Sequence, residues 1–334
     1  VHSNWRDLRS VRSPTTLTIF RGAIQSSMTR YAVTGGAGFI GSNIVGNLVG
    51  RGHHVTVIDD LSSGHMVNLN PYHEVDFVNA SILDESALMP AFEGVDTVFH
   101  LAASVGNKRS IDNPALDSKI NVLGTINVLE ACRAAGVRKI VVSSSAGIFG
   151  ELHELPISED HPVEPDSPYG ASKLAAEKLC LAYAKLYDLE AIALRYFNVY
   201  GPNQRFDAYG NVIPIFVFKM LNGAPITIFG DGDQTRDFIS VTDVVQANIK
   251  ASEAVGVSGA FNIASGSRIT INDLVAHLSD LVPGQPSVSH GPERPGDVRD
   301  SLADVSAARA AFGFEPTVDM ADGLAEYVRW AITE

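Results

Sequence analysis

Short apolar runs alternate with longer amphipathic ones along most of this chain. Residues 31–34 form an apolar run of strand length that passes directly into Gly35, Gly38 and Gly41. Behind those glycines, Ile40, Ile44, Val45 and Leu48 recur at helical spacing on one face. HHVTVIDD predicts a second strand ending in Asp59. HEVDFVNASILD predicts a third, with Ser81 and Asp84 ahead of a helix that closes near Phe92. VDTVFHLAAS reads as a fourth strand, a helix carrying Asn121, Gly124, Asn127 and Cys132 follows, and KIVVSSSAGIFG is the fifth. LEAIALRY supplies a sixth. Strands alternating with helices at this spacing predict an α/β fold, a doubly wound parallel sheet covered on both faces. Ligands of such a sheet lie across the carboxyl ends of its strands.

Beyond residue 200 the rhythm is broken. We read 28–200 as the sheet domain, completed by about 234–252, and 201–334 mainly as a smaller α/β lobe. GNVIPIFVFKMLNG and ITIFG fall in the lobe, and TRDFISVTDVVQANIKA returns a helix to the main body. The last segment contains two short helices around a Gly-Phe-x-Pro turn and reads as structural. Residues 1–27 are rich in Arg and Ser, carry a single acid and precede Met28. They read as an upstream start or a disordered extension in preference to a transit peptide.

Bulk properties narrow the classes. A chain of 334 residues with 45% apolar composition can bury a large core. Its net charge of −13 argues against a nucleic-acid surface, which needs clustered Lys and Arg. Cys132 and Cys180, the only cysteines, fit no metal spacing and read as buried fillers of a cytoplasmic, reducing compartment. No apolar run approaches the ~20 residues that span a bilayer.

The candidate chemistry begins at the glycines. The first permits a turn with positive φ, the second lets backbone approach a pyrophosphate, and the third lets helix and strand pack closely. The helix N-terminus then points N–H groups at phosphate. A carboxylate at Asp59 accepts hydrogen bonds from ribose hydroxyls and repels a 2′-phosphate, and no Arg follows it in DLSSG, so NAD is favoured over NADP.

The fifth strand ends in Ser143, Ser144 and Ser145. Ser143 reads as a residue that satisfies loop backbone groups. In PDSPYGASK, Ser167 is a predicted N-cap and Pro168 the first helical residue, so Tyr169 and Lys173 share one face a turn apart. A phenol needs about three units of pKa depression, about 4 kcal/mol, to act as a base at neutral pH. A neighbouring ammonium, the helix N-terminus and a cationic nicotinamide ring all act in that direction.

TGGAGFIGS, HLAAS, SSSAGIFG, YGASK and RYFNVYGPNQ together resemble the extended short-chain dehydrogenase/reductase family, and within it the nucleotide-sugar 4-epimerases. The resemblance runs from about Met28 to the C-terminus. It implies that Ser145, Tyr169 and Lys173 are catalytic. It implies cofactor contacts from Phe39, Ile40, Ser81, Ile82, Leu101, Ala102, Ala103, Asn121 and Tyr196, besides the glycine loop, Asp59, Tyr169 and Lys173. One departure is visible: the family usually has Asp before the Ile at the adenine edge, where this chain has Ser81.

For the substrate diphosphate, Asn198, Arg236 and Arg294 are the candidates, because a planar guanidinium fork matches phosphate oxygens. The competing reading makes the arginines surface ion-pair partners of Asp237 and Asp297. Ser145, Asn211 and Phe229 complete the implied substrate set. The implied reaction is 4-epimerisation of a UDP-sugar through a 4-keto intermediate, with NAD retained. The 4,6-dehydratase and decarboxylase branches carry acids just after the serine, where this chain has Ala146 and Gly147. A UDP-uronate epimerase and a non-catalytic NAD sensor are the alternatives, and retention of Tyr and Lys argues against the sensor. Counting along RPGDVRDS puts Ser301 nearest the position that gates N-acetylated sugars, and a shift of one residue would put Asp300 there. A homodimer through the Asn121 and Tyr169 helices is a further implication of the family.

Overall fold

Every strand of a sheet covered by helices on both faces must be apolar on both faces, and the short runs here meet that demand. The computed structural model describes residues 28–207, 210–284, 286–293 and 298–334. The 1–27 extension and Arg294 therefore lie outside the described residues. The chain opens with β1 (Arg30–Thr34), α1 (Phe39–Gly50), β2 (His54–Asp59), β3 (Asp76–Asn79), α2 (Glu85–Ala91) and β4 (Thr97–His100). Short helices α3 (Asn107–Asp112) and α4 (Pro114–Ser118) lead into α5 (Thr125–Ala135), followed by β5 (Lys139–Ser145), α6 (Pro168–Leu186) and β6 (Glu190–Tyr196).

The second half comprises β7 (Asn198–Tyr200), α7 (Val212–Leu221), β8 (Ile226–Phe229), β9 (Thr235–Arg236), β10 (Phe238–Ser240), α8 (Val241–Glu253), β11 (Gly259–Ile263) and β12 (Ile269–Thr270). It closes with α9 (Ile271–Leu281), β13 (Val288–Gly291), α10 (Ser306–Phe312) and α11 (Met320–Ala331). Seven strands form one sheet in the order β11-β6-β5-β4-β1-β2-β3, and every pair in it is parallel. The predicted doubly wound sheet is the observed one. Strand order reverses between β1 and β4, and the carboxyl ends there open a crevice.

Alternation along each strand divides the core in two. Val141 joins Val33, Val57 and Phe99 against α1 and α8, through Ile44, Leu48, Val244 and Val245. Its neighbours Ile140 and Val142 point the other way, with Ala32, Ile58 and Val98, against Leu88 of α2, Leu129 and Cys132 of α5 and Cys180 of α6. Both cysteines are buried free thiols, as the sequence implies. The lobe has its own core, in which Phe216 and Val217 of α7, Ile226 and Ile228 of β8, Leu274 and Leu278 of α9, and Leu324 and Tyr327 of α11 meet. Fully burying each such side chain contributes about 1.5–3 kcal/mol.

Two predictions need correction. The helix expected around Asn121 is not one regular helix: a π-helical turn, Lys119–Gly124, separates α4 from α5. The wider turn inserts a residue into the helical count. Thr125 also donates to the Asn121 carbonyl at 2.6 Å. Second, the sheet domain takes a seventh strand, β11, from the stretch assigned mainly to the lobe. GAFNI is too short and too mixed to announce itself, and it becomes a strand by pairing with β6 from Gly259 opposite Ile192 to Ile263 opposite Tyr196. Ala303, Val305 and Ala308 also pack on the main core.

Candidate active site

The glycine loop joins β1 to α1, and each glycine has a separate reason. Gly35 has φ +70°, and a Cβ there would lie 2.6 Å from the Ala102 nitrogen, so the β1 and β4 exits touch through backbone alone. A Cβ at Gly41 would meet the Gly35 carbonyl oxygen at 2.2 Å, which is the close helix–strand packing expected. Gly38 is the N-cap of α1, so the first-turn N–H groups at Phe39 and Ile40 face the crevice mouth without intrahelical acceptors. Leu101, Ala102 and Ala103 follow β4 beside this loop; the Leu101 nitrogen bonds the Thr34 carbonyl at 3.0 Å.

Asp59 ends β2 and is only 8% exposed. Its oxygens accept from the Ala37 and Leu61 nitrogens at 3.0 and 2.8 Å, while burial raises its pKa and those two bonds oppose the rise. Asp60 makes only a turn bond, to the Ser62 nitrogen at 3.0 Å. Ser81 replaces the family's acid with a hydroxyl that accepts from the Leu83 nitrogen at 3.3 Å, and Asn127 holds the Ile82 carbonyl at 3.2 Å. A loop that admits no Cβ at Gly35 or Gly41 and a buried acceptor at the end of β2 fit a dinucleotide with free ribose hydroxyls.

Ser145 is the last residue of β5 and accepts from the Gly147 nitrogen at 3.1 Å. Ser167 caps α6 through the Gly170 nitrogen at 3.1 Å, with Pro168 in the first turn, as expected. A Cβ at Gly170 would lie 2.2 Å from the Gly147 oxygen, so glycine lets the Tyr169 turn seat directly on the turn after Ser145. Ser145 thereby stands close enough to favour the ionised Tyr169 phenol. Burial acts more strongly and raises the phenol pKa, with Asp117 adding to the rise and Ser145 opposing it. In the protein by itself Tyr169 is thus raised, where the sequence led us to expect depression. The reason is that desolvation penalises the phenolate before any cationic ring is present.

Lys173 is 5% exposed, and burial brings its ammonium down to about 8, against the negative ends of Cys180, Asp117 and Glu177. It donates to Ser143 Oγ at 3.2 Å, and Ser143 in turn donates to the His100 carbonyl at 3.2 Å. Ser143 thus satisfies a backbone carbonyl, as expected of it, and supports Lys173 besides. Ser144 donates to Glu177 at 2.7 Å, and Glu177 is held in a two-point pair by Arg195 at 3.0 and 2.8 Å. Sequence reading missed this buried pair, because burial of Glu177 and Arg195 has no local signature.

Asn121 faces inward on the π-turn. Its side chain accepts from the Ser104 nitrogen at 2.7 Å and donates to the Ser104 carbonyl at 3.0 Å, pinning the loop beyond Ala103. Tyr196 commits its hydroxyl to Asn248 at 3.0 Å in the core. Asn198 donates to the Asp237 carbonyl at 3.0 Å, and Asn211, at the N-cap position of α7 but with no side-chain cap bond, donates to the Val199 carbonyl at 3.4 Å. Phe229 ends β8, and Ser301 is 8% exposed. Arg236 reaches the Thr235 carbonyl at 2.8 Å. Asp237, offered as its ion-pair partner, spends its oxygens on Ser265, Gly266 and Ala303. Among the described residues no cluster of His, Cys, Asp or Glu could hold a metal ion, and no helix is long and apolar enough to cross a membrane.

A glycine-looped parallel sheet with Ser, Tyr and Lys converging at its carboxyl edge defines a dinucleotide-dependent enzyme of hydroxyl and carbonyl chemistry. The chain belongs to the NAD dependent epimerase/dehydratase family, whose model matches residues 31–264. A UDP-glucose 4-epimerase from Mycolicibacterium smegmatis is 41% identical over 90% of this chain and 98% of its own. The crystal structure of UDP-glucose 4-epimerase with UDP-glucose from Thermotoga maritima superposes with a TM-score of 0.86 at 38% identity, over 91% of this chain and 99% of that one. A UDP-N-acetylglucosamine 4-epimerase from Methanobrevibacter ruminantium, in complex with UDP-N-acetylmuramic acid, gives 0.87 at 38% identity, over 91% and 98%.

Proposed function

We infer that this protein is an NAD-dependent 4-epimerase of UDP-sugars, and the observation that carries the reading is the convergence of Ser145, Tyr169 and Lys173 beside the Gly35–Ala102 contact. The chemistry that NAD supplies when bound is reversible hydride transfer at C4, through a 4-keto sugar. Tyr169 takes the proton of the 4-hydroxyl and later returns it. Lys173, held by Ser143, would favour the phenolate and hold the nicotinamide ribose, and Ser145 would hydrogen-bond the reacting oxygen. Gly35, Gly38, Gly41 and Asp59 hold the cofactor. Asn198, Asn211, Phe229, Arg236 and Arg294 hold the uridine diphosphate, a role supported by the match of a planar guanidinium fork to phosphate oxygens.

Within the UDP-sugars we place UDP-Glc/UDP-Gal first, and galactose metabolism as the setting. A small residue at Ser301 supports admission of the N-acetylated pair. A homodimer through α5, α6 and the π-turn is supported by exposed Leu123 (45%) on the π-turn and Leu186 (72%) on α6, with Leu116 (48%) beside them on α4, and its test is the mass in solution by light scattering.

The test of function is purified protein incubated with each of the four UDP-sugars without added NAD, with products resolved by proton NMR. Interconversion of a C4 pair is expected. No conversion even with NAD supplied overturns the reading. Ser301→Tyr should abolish N-acetylated turnover selectively, and equal loss for both pairs would remove the gate from Ser301.

A further inference from the structure

Beneath Tyr169 and Lys173 lies a carboxylate that the reaction as described does not use. Asp117, at the end of α4, is 1% exposed. Its Oδ2 accepts from Ser172 Oγ at 2.6 Å, the length of a charge-assisted bond, and its Oδ1 accepts from Asn121 Nδ2 at 3.3 Å. Ser172 has one proton. The Tyr169 carbonyl competes for it at 3.0 Å, so the shorter contact assigns it to Asp117. Asn121 Nδ2 has two protons, and its shorter contacts direct them to Ser172 Oγ at 2.9 Å and the Ser104 carbonyl at 3.0 Å, so its 3.3 Å contact to Asp117 is a weaker, shared one. Asp117 is therefore the common anchor of two parts of the site: through Ser172 the helix turn between Tyr169 and Lys173, and through Asn121 the Ser104 loop that follows β4.

We propose that Asp117 is a positioning residue of the epimerase, whose buried carboxylate ties the Tyr169–Lys173 turn to the cofactor-side loop. The proposal rests on the function inferred above. Its negative charge raises the pKa of Tyr169 and of Lys173 alike. Other groups facing the pair are already committed. Glu177 and Arg195 form the closed pair described, and Cys180 is a buried thiol. His100 is kept neutral by burial and the Lys173 charge. On α3, Lys108 and Arg109 are exposed and pair with Asp112 and Asp207. Lys119 on the π-turn is exposed, and of α5 the half-buried Glu130 and exposed Arg133 pair with one another. Asp117 is the carboxylate that sits in the pair's hydrogen-bonded network.

Asp117→Asn keeps the shape and removes the charge. An amide also sets one of its ends against a like group, because Ser172 and Asn121 both donate to Asp117. The expected result is a fall in kcat of about tenfold. Both limbs of the kcat/KM pH profile should also move to lower pH by about half a unit to one unit, since loss of a negative charge lowers both pKa values. Ser172→Ala, which keeps the charge and breaks the tether, should lower kcat with both limbs in place. The wild-type enzyme measured alongside must epimerise, and a wild type that does not turn over sinks the function reading and not this one. If Asp117→Asn loses rate with unmoved limbs, or if Ser172→Ala moves them equally, Asp117 is packing only and the proposal falls. Circular dichroism and NAD content establish that each variant is folded; if Asp117→Asn does not fold, limbs that move in Ser172→Ala overturn the proposal and limbs that stay support it.

Discussion

The two halves of this active site are built to different standards. On the sheet side, Lys173, Asn121, Asp117 and Glu177 are each at most 5% exposed, and hydrogen bonds from neighbouring elements fix each of them. On the lobe side, Arg236 and Phe229 are only partly buried and sit on strands of two and four residues, each paired with a single partner strand. A buried, mutually bonded cluster resists displacement because every shift leaves an unpaired polar group in a low dielectric. Short ladders and half-exposed side chains yield more cheaply. The cofactor half is thus preorganised for chemistry, and the lobe is free to accommodate the sugar nucleotide that arrives.

That contrast can be broken by mutation. Tyr169→Phe should lower kcat by about 10⁴-fold with an unchanged melting temperature, because it removes the base and little packing. A loss under tenfold would move the base elsewhere. Glu177→Ala leaves Arg195 charged and buried, so it should destabilise the fold by about 3–5 kcal/mol in urea melts. Were the loss under 1 kcal/mol, the sheet side would be no more rigid than the lobe. Arg236→Ala should raise KM about thirtyfold with little change in kcat, as expected for a phosphate bond worth about 2 kcal/mol. A kcat effect as large as that of Tyr169→Phe would erase the distinction between halves.

The effect that is smallest per pH unit lies under the cofactor loop. His100 bonds Thr34 Oγ1 at 2.7 Å and Thr125 Oγ1 at 3.0 Å, and burial, with Lys173 assisting, depresses its pKa to about 3. The unfolded chain takes up this proton near pH 6.5 and the folded one does not, so the contribution is complete above pH 6.5 and is lost towards pH 3. Stability should therefore fall by about 1 kcal/mol per unit over that window. His100→Gln should flatten that slope in thermal melts, and an unaltered slope would assign the acid sensitivity to other groups.

Much of the sheet side was legible because its chemistry lies in short contiguous motifs. TGGAGFIGS states its turn through glycine, and SPYGASK states a cap, a first-turn proline and a one-turn spacing. The alternation of strands with helices predicted a sheet covered on both faces, and Val141 is buried on one face with Ile140 and Val142 on the other. The π-turn was not legible, since local propensity carries no signal for one extra residue in a helix. Asp117 was not legible either. A lone Asp on a short helix reads as a solvated residue, and only packing against Ser172 and Asn121 buries it. GAFNI required β6 as its template.

By itself the sequence determined the parallel sheet, the glycine turn and the capped helix that sets Tyr169 and Lys173 a turn apart, because backbone sterics, hydrophobic period and capping act over a few residues. Only the tertiary structure decided that burial raises Tyr169, that Ser143 carries Lys173 and that Asp117 anchors both sides of the site. Those outcomes depend on desolvation and on partners 30 to 55 positions away, which no local pattern encodes.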